Sequence, residues 1–262
     1  MMASLCLIAA VNNDVVLEQN LASSALVRKN PDILTTMRNY SSASAAYNAG
    51  LDRTSTDIAV FAHQDVYLPQ GWEDALLRNI AVIEETDPGW GVIGVYGVRD
   101  DGGHAGRVWS SGLNRELDTG SKEPVKASSV DELLIVLRRG SGLRFDEDLP
   151  GFHMYGTDIC QESLERGHGV YVVNAPVVHN SVPVFSLAGG YTDAYCYMRR
   201  KWRHRLPVKT TVTTITPLSL SFLYLKWRIA GFSGRRARLR RSQTELMPRE
   251  SAPDIAQLLG YE

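Results

Sequence analysis

The sequence has few cysteines and no long hydrophobic run. Its 262 residues include three cysteines, an odd number whose spacing fits no zinc motif, so we expect reduced thiols in a cytoplasmic protein. No stretch reaches the roughly 18 apolar residues that a membrane span requires. The apolar run 4–11 follows no basic segment and stops at polar residues 12–14, so it predicts a buried strand rather than a secretory signal.

The small net charge of -1 hides an uneven distribution. Residues 194–241 contain 13 lysines and arginines and no acidic residue, whereas residues 1–193 have an excess of 11 acidic residues. We therefore predict a catalytic or binding domain over 1–193 and a basic, helical C-terminal extension over 194–262. The basic segment 194–241 is typical of a helix lying on an anionic membrane, at its inner face. Packing against the acidic domain is an equal alternative, and nucleic acid is a weaker one because no nucleic-acid motif accompanies the charge.

Short apolar runs alternate with helical patterns along the first 180 residues. This alternation predicts an α/β fold with a mostly parallel central sheet covered by helices on both faces. Strands are expected at 4–11, near Leu26, and at 57–62, 91–96, 130–137, 170–173 and 177–178; helices at 15–24, 41–51, 72–85 and 158–167; loops with a hairpin at 99–128.

Three residues are candidates for chemistry because of where they stand. Asp65 comes just after the apolar run 57–62, at the end of a parallel strand where ligands of α/β sheets bind, and a carboxylate there suits Mg²⁺ or Mn²⁺. Asp158 begins a predicted helix after an aromatic, acidic loop, and could accept a proton from a hydroxyl. His179 follows a strand and suits Mn²⁺. Each also has an ordinary explanation, respectively a turn residue, a helix N-cap and a structural histidine.

Taken together, these motifs resemble the GT-A glycosyltransferases, specifically the family-2-like group. The resemblance covers about residues 3–185 and rests on five segments in matching order. They are the first strand with Asn12-Asn13, the helix segment Ser44-Ala45-Ala46-Tyr47-Asn48-Ala49-Gly50, the strand and motif Val60-Phe61-Ala62-His63-Gln64-Asp65, the loop from Phe145-Asp146-Glu147 to Tyr155-Gly156-Thr157-Asp158, and Val178-His179.

The resemblance implies an inverting transfer from a nucleotide-diphosphate sugar to a glycan or lipid-linked glycan, as in polysaccharide biosynthesis. It implies Asp158 as catalytic base and Asp65 and His179 as ligands of Mn²⁺ or Mg²⁺. Donor contacts are expected from Ala10, Val11, Asn12, Asn48, His63, Gln64 and Asp65, and acceptor contacts from Trp109, His153 and Tyr155. For the rings of Trp109 and Tyr155, ordinary core packing is the more common explanation.

Two positions depart from the pattern of the family. His63 replaces the first aspartate of the Asp-x-Asp motif, which bears on donor preference. Thr157 stands where many relatives carry glutamate.

Two other functions remain open on the sequence. A nucleotidyltransferase would also combine an α/β sheet, a metal and a nucleotide, but residues 9–14 contain no glycine-rich phosphate loop. A non-catalytic module that binds sugar nucleotides or glycans would use the same cleft, and would bind a donor without hydrolysing it.

Overall fold

Two β-sheets and the helices packed against them form the fold. The structure, a computed structural model, describes residues 4–183, 190–218, 223 and 251–261. The strands are β1 (Leu5–Val11), β2 (Leu34–Arg38), β3 (Ile58–Ala62), β4 (Val66–Tyr67), β5 (Val92–Gly94), β6 (Tyr96–Val98), β7 (His104–Ser110), β8 (Arg115–Asp118), β9 (Val125–Lys126), β10 (Ser129–Val130), β11 (Leu134–Arg138), β12 (Val170–Val172), β13 (Val177–His179), β14 (Val208–Lys209) and β15 (Thr214–Ile215).

The larger sheet has seven strands in the order β2-β1-β3-β11-β5-β12-β9. Strand β11 runs antiparallel to both of its neighbours, and β9 runs antiparallel to β12. The other pairs are parallel. The carboxyl ends of β1, β2 and β3 therefore lie at one edge, which is where α/β sheets bind ligands.

The smaller sheet joins strands from the middle of the chain to the strand that ends at His179. Its order is β10-β6-β7-β13-β4, with β8 paired to β7, and β13 runs parallel to β7 but antiparallel to β4. The pairing of β4 with β13 brings His179 beside Val66, one residue after Asp65. A separate two-stranded hairpin, β14-β15, follows later in the chain.

In the described residues, α-helices cover both faces of the larger sheet and one more packs on the smaller sheet. They are α1 (Asp14–Gln19), α2 (Ala25–Lys29), α3 (Ala43–Asp52), α4 (Trp72–Glu84), α5 (Tyr155–Glu165), α6 (Tyr191–Lys201) and α7 (Ala252–Leu258). Alternate residues of β1 point to opposite faces, so that Ile8 packs in one core cluster and Leu7 in the other. Helix α3 lies so close to β1 that a Cβ on Gly50 would come within 2.4 Å of the Ile8 side chain.

The C-terminal helix α7 packs on the smaller sheet rather than on the larger one. Ala252 and Ile255 contact Tyr67 of β4 and Val178 of β13 in a third apolar cluster. The hydroxyl of Tyr261 donates to Glu116 at 2.7 Å. The end of the chain thus supports the strand that carries His179.

The predicted α/β class is confirmed. The central sheet is mixed rather than mostly parallel, because β11 and β9 run antiparallel to their neighbours, and the second sheet was not expected. The region around Leu26 is helical (α2), so the strand predicted there is wrong. Strand β2, with two consecutive threonines, was missed. Helix α5 begins at Tyr155, so Asp158 lies within its first turn and is not the N-cap.

The division between residues 1–193 and 194–262 stays a prediction. Helix α6 spans that boundary, and its buried side chains, among them Ala194 and Met198, join the main core. Of the basic range 194–241, the part after residue 218 lies outside the described residues, apart from residue 223. Within the described part of the chain, no helix is long and apolar enough to cross a membrane.

Candidate metal centre and donor site

His63, Asp65 and His179 meet at the carboxyl edge of β3. His63 follows β3 directly, Asp65 lies in the turn to β4, and His179 is the last residue of β13. The Asp65 Oδ1 atom lies 3.4 Å from His179 Nε2 and 3.9 Å from His63 Nδ1. One ligand atom from each of the three residues lies within 4.8 Å of the other two. Among the described residues, this is the one group of three or more side chains that could hold a metal ion.

The turn that carries Asp65 is fixed by backbone hydrogen bonds on both sides. The amide of Val66 donates to the His63 carbonyl at 3.1 Å, which closes the turn, and the amide of Asn180 donates to the Asp65 carbonyl at 2.8 Å. The side chains of His63, Asp65 and His179 remain 34%, 23% and 19% exposed. The three ligands are therefore held in place and still open to solvent.

The electrostatics of the group favour a cation. Burial alone raises the pKa of Asp65, but the adjacent His179 and His63 outweigh it and bring that pKa to about 2, so the carboxylate is ionised at neutral pH. Burial lowers the pKa of His63, and His179 and His153 add to the effect, which keeps the His63 imidazole neutral and able to bind a metal. The pKa of His179 is raised, because Asp65 outweighs the effect of burial.

His63 is also bonded on its other side. Its Nε2 atom lies 2.7 Å from the Tyr155 hydroxyl, and that hydroxyl donates to the backbone carbonyl of Glu132 at 3.1 Å. Tyr155 is 2% exposed and its ring packs against Tyr47 and Phe145. Because this ring is buried, it has no free face in this structure on which a sugar could stack.

Asp158 lies under helix α6 rather than beside the metal ligands. It is 2% exposed; its Oδ2 accepts from Lys201 Nζ at 2.9 Å and its Oδ1 from Trp202 Nε1 at 2.7 Å. Lys201 also donates to Asp146 at 2.7 Å. Burial raises the pKa of Asp158 even though Lys201 opposes it. Both carboxylate oxygens of the predicted base are thus occupied by side chains that end α6.

The predicted donor residues lie at the end of β1 and in the turn after it. Ala10 and Val11 are the last residues of β1, and the Gln64 side-chain carbonyl accepts from the amides of Asn12 and Asn13, both at 3.0 Å. The Gln64 amide also donates to Asn12 Oδ1 at 2.6 Å. Gln64 therefore connects this turn to the metal-ligand turn.

Asn48 has a different set of partners from those of the β1 turn. Its amide group donates to the carbonyl of Phe145 at 2.9 Å and to the Glu147 carboxylate at 2.8 Å, and its oxygen accepts from the Phe145 amide at 3.0 Å. All of these bonds hold the loop before α5 onto α3. Asn48 is also 4% exposed, so in this structure its side chain connects two parts of the fold and is not free to contact a donor.

The two remaining predicted acceptor residues are placed differently. Trp109 lies opposite Val178 in the β7–β13 register and packs in the cluster with helix α7. Successive strand residues face opposite ways, so this is the face away from His179. His153 lies close enough to His63 to lower its pKa. The ring of His153 meets the Tyr191 ring edge-on, with the two centroids 5.4 Å apart. The structure thus brings His153, but not Trp109, to the site.

Sequence reasoning missed the pair Asp131 and Glu132, which lie between β10 and β11. The charge of Asp131 acts on both His63 and His179, and its Oδ2 accepts from the Thr211 hydroxyl at 2.7 Å. The Glu132 carboxylate accepts from the amides of the first turn of α5, and burial raises its pKa to about 8. No motif marks them, because their role depends on the antiparallel return of β11 beside β3.

The sequence family fits this geometry. A profile of a glycosyltransferase-like family matches residues 6–186, and the chain belongs to that family. This family match, together with the likeness in fold to GalNAc-T7, confirms the predicted GT-A resemblance.

Individual proteins show the extent of the likeness. The structure of GalNAc-T7 with UDP, GalNAc and Mn²⁺ superposes with a TM-score of 0.50 at 11% identity, over 76% of this chain and 48% of the other. A mannosyltransferase from Pyrobaculum calidifontis with GDP-Man and Mn²⁺ gives a TM-score of 0.44 at 14% identity, over 99% of this chain and 80% of the other. A Fuscovulum blasticum protein described as ATP synthase subunits region ORF 6 is 29% identical over 138 residues, 49% of this chain. The chain thus spans about half the length of each of two relatives, 53% of the Fuscovulum blasticum protein and 48% of GalNAc-T7.

Proposed function

We propose that this protein transfers a sugar from a nucleotide-diphosphate donor to a hydroxyl of a glycan or lipid-linked glycan, with inversion at the anomeric carbon. One observation carries the proposal: His63, Asp65 and His179 converge at the carboxyl edge of β3, in a chain of a glycosyltransferase-like family. The donor diphosphate would lie across that edge, between these ligands and the β1 turn. The structure of GalNAc-T7, which contains UDP, GalNAc and Mn²⁺, supports this class of donor.

The donor atoms of the three ligands suit a divalent transition metal. Two atoms that bind one ion at about 2.0–2.2 Å lie roughly 3–4 Å apart, and the observed separations of 3.4 and 3.9 Å agree. Two imidazoles with one carboxylate favour Mn²⁺ over Mg²⁺, which prefers oxygen ligands. A cation bound there would neutralise charge on the departing diphosphate. The protein's part is to hold these ligands and to align acceptor and donor.

The β1 turn is the proposed site for the nucleoside. Gln64 ties Asn12 and Asn13 to the metal-ligand turn, so the nucleoside and diphosphate sites share one rigid support. Arg38 lies opposite Val11 in the β1–β2 register and forms an ion pair with Asp14, adding a charged rim to this turn. In this chain His63 stands at the position of the first aspartate of the family motif. We propose that His63 binds the metal rather than the ribose.

The catalytic base is proposed from two carboxylates. Asp158 is the candidate that family resemblance implies, and an acceptor could reach it only after Lys201 or Trp202 moves. Asp131 is the second candidate. It is partly exposed, its charge raises the pKa of both histidines of the metal centre, and it already accepts a hydrogen bond from the Thr211 hydroxyl. A general base contributes about 10²- to 10⁴-fold to the rate. The aspartate whose change to asparagine removes a factor of this size, with donor binding unchanged, is the base.

The first experiment is hydrolysis of a panel of nucleotide sugars with Mn²⁺, Mg²⁺ or EDTA. The wild type is compared with Asp65→Ala and with Asp100→Ala, whose aspartate also lies in a turn but is exposed and is not one of the three potential metal ligands. Metal-dependent release of nucleotide from one donor, lost in Asp65→Ala and kept in Asp100→Ala, supports the proposal. Equal hydrolysis by both variants would remove Asp65 from the mechanism.

A non-catalytic sugar-nucleotide or glycan-binding module is the competing function. It predicts that a donor binds in calorimetry and is neither hydrolysed nor transferred to any acceptor, so the same panel separates the two.

The basic range 194–241 is proposed to contact an anionic membrane. Pelleting with liposomes that contain or lack anionic lipid tests this, and equal pelleting in both would contradict it.

A further inference from the structure

The Tyr155 hydroxyl lies between the His63 ring and the peptide carbonyl of Glu132. It is 2.7 Å from His63 Nε2 and 3.1 Å from the Glu132 carbonyl oxygen. A carbonyl oxygen only accepts hydrogen bonds, and a phenol has one proton to donate. When the Tyr155 proton goes to Glu132, the Tyr155 oxygen must accept from His63.

This chain of bonds determines which nitrogen of His63 carries the proton. In a neutral imidazole one nitrogen is a donor and the other an acceptor. If Nε2 donates to Tyr155, Nδ1 has the free lone pair, and Nδ1 is the atom that lies 3.9 Å from Asp65 Oδ1. Tyr47 also hydrogen-bonds Tyr155. A phenol oxygen has two lone pairs, so accepting from Tyr47 does not displace the bond from His63.

We propose that Tyr155 is a positioning residue of the candidate metal centre: it holds the His63 proton on Nε2 and thereby presents the Nδ1 lone pair to a cation shared with Asp65 and His179. The proposal rests on the proposed function only in assuming that a cation binds these three ligands. The tautomer itself is a property of the metal-free protein. It can therefore be tested apart from metal binding and from activity.

The surroundings of Tyr155 are built to keep its hydroxyl in place. The ring packs against Tyr47 and Phe145 at centroid distances of 5.5 and 6.1 Å, inside the apolar core. The carboxylate of Glu132 accepts from the backbone amides of Met154, Tyr155 and Gly156. Glu132 thus fixes the start of α5 with its side chain and receives the Tyr155 proton with its own carbonyl.

The first measurement is the tautomer of His63 in full-length protein labelled with ¹⁵N-histidine. Two-bond ¹H–¹⁵N correlation spectra distinguish a protonated from an unprotonated ring nitrogen, and the spectrum of His63→Ala identifies the His63 signals among the six histidines. We expect metal-free wild type to show protonated Nε2 and unprotonated Nδ1. In Tyr155→Phe, which keeps the packed ring and lacks the hydroxyl, we expect a mixture of both tautomers.

The second measurement is Mn²⁺ affinity, from the free-ion signal in electron paramagnetic resonance titrations. Loss of a hydrogen-bond partner behind a metal-bound histidine weakens affinity by about 10- to 100-fold, and we expect this range for Tyr155→Phe. Tyr171→Phe is the matched control: Tyr171 lies in β12, is 5% exposed, and its hydroxyl also donates a hydrogen bond, to Asp87 at 3.0 Å. We expect its Mn²⁺ affinity to equal that of the wild type.

The outcomes separate this inference from the proposed function. Protonated Nδ1 in the wild type, or equal Mn²⁺ affinity in wild type and Tyr155→Phe, overturns the positioning role and leaves the proposed function standing. Wild type that shows the expected tautomer but binds no Mn²⁺ overturns the metal centre of the proposed function, and the role of Tyr155 with it. Equal weakening in Tyr155→Phe and Tyr171→Phe also overturns the role, since it indicates a general loss of stability.

Discussion

Replacing Asp158 by asparagine should cost stability as well as any catalytic role. Asparagine keeps the shape of the side chain and can still accept from Trp202, but it loses the charge that faces Lys201. A hydrogen bond between charged groups contributes about 1.5–3 kcal/mol. Lys201 keeps its bond to Asp146 and is 22% exposed. Removing the charge also removes the cost of burying it, which is the effect that raises the pKa of Asp158. We therefore expect the lower part of the range, a decrease in unfolding free energy of about 2 kcal/mol.

The assay is urea unfolding, supported by calorimetry, in which about 2 kcal/mol corresponds to a fall in Tm of roughly 4–8 °C for a chain of this size. Glu165→Gln is the control on the same helix. The Glu165 side chain is 47% exposed and pairs with His204 and Arg205, and exposed ion pairs contribute little to stability.

Equal losses in Asp158→Asn and Glu165→Gln would refute the claim that the buried carboxylate holds α6. Donor hydrolysis by Asp158→Asn is measured well below its unfolding transition, where the variant is folded. A large fall in turnover under these conditions identifies a catalytic role in addition to the structural one. Unchanged turnover with reduced stability leaves Asp158 as a structural residue and favours Asp131 as the base.

Three further perturbations test the site and the fold. Gln64→Ala removes the bonds that hold the amides of Asn12 and Asn13; we expect KM for the donor to rise about 5- to 30-fold, from about 1–2 kcal/mol, and an unchanged KM would contradict a nucleoside site at this turn. Gly106→Ala places a Cβ 2.1 Å from the Val95 carbonyl at a φ of +103°; we expect unfolding free energy to fall by about 1–3 kcal/mol, and a neutral effect in urea unfolding would show that β7 can shift. Mn²⁺ at 100 times its Kd should stabilise the wild type by about 2.7 kcal/mol, reversed by EDTA, and an unchanged Tm would mean that folded protein does not bind the ion.

Several elements of the fold could be predicted because their signals are local. The continuous apolar run that ends at Ala62 is typical of a strand buried on both faces, and β3 is buried at every position. Helix α3 follows Ser42, whose hydroxyl accepts from the Ala45 amide as an N-cap. By contrast, β2 was missed because its exposed and partly buried residues give no continuous apolar run.

Part of the site could also be predicted, again because its signals are local. Asp65 and His179 stand at strand ends, and strand ends are visible in a sequence. Tyr155 was a candidate acceptor contact, with core packing as the more common alternative, and it is buried behind His63. The sequence left both open because a ring's exposure depends on what packs over it. Asp131 carried no motif.

The sequence by itself determined the α/β class, the family and the strand ends that carry Asp65 and His179, because these follow from apolar periodicity and from short motifs. Only the tertiary structure decided what each of these side chains faces. The antiparallel pairing of β4 with β13 brings residues 114 positions apart into one metal-ligand group, and the packing of α6 on α5 closes Lys201 and Trp202 over Asp158. Such contacts depend on strand order and helix packing, which are set by the free energy of the whole core rather than by any local pattern.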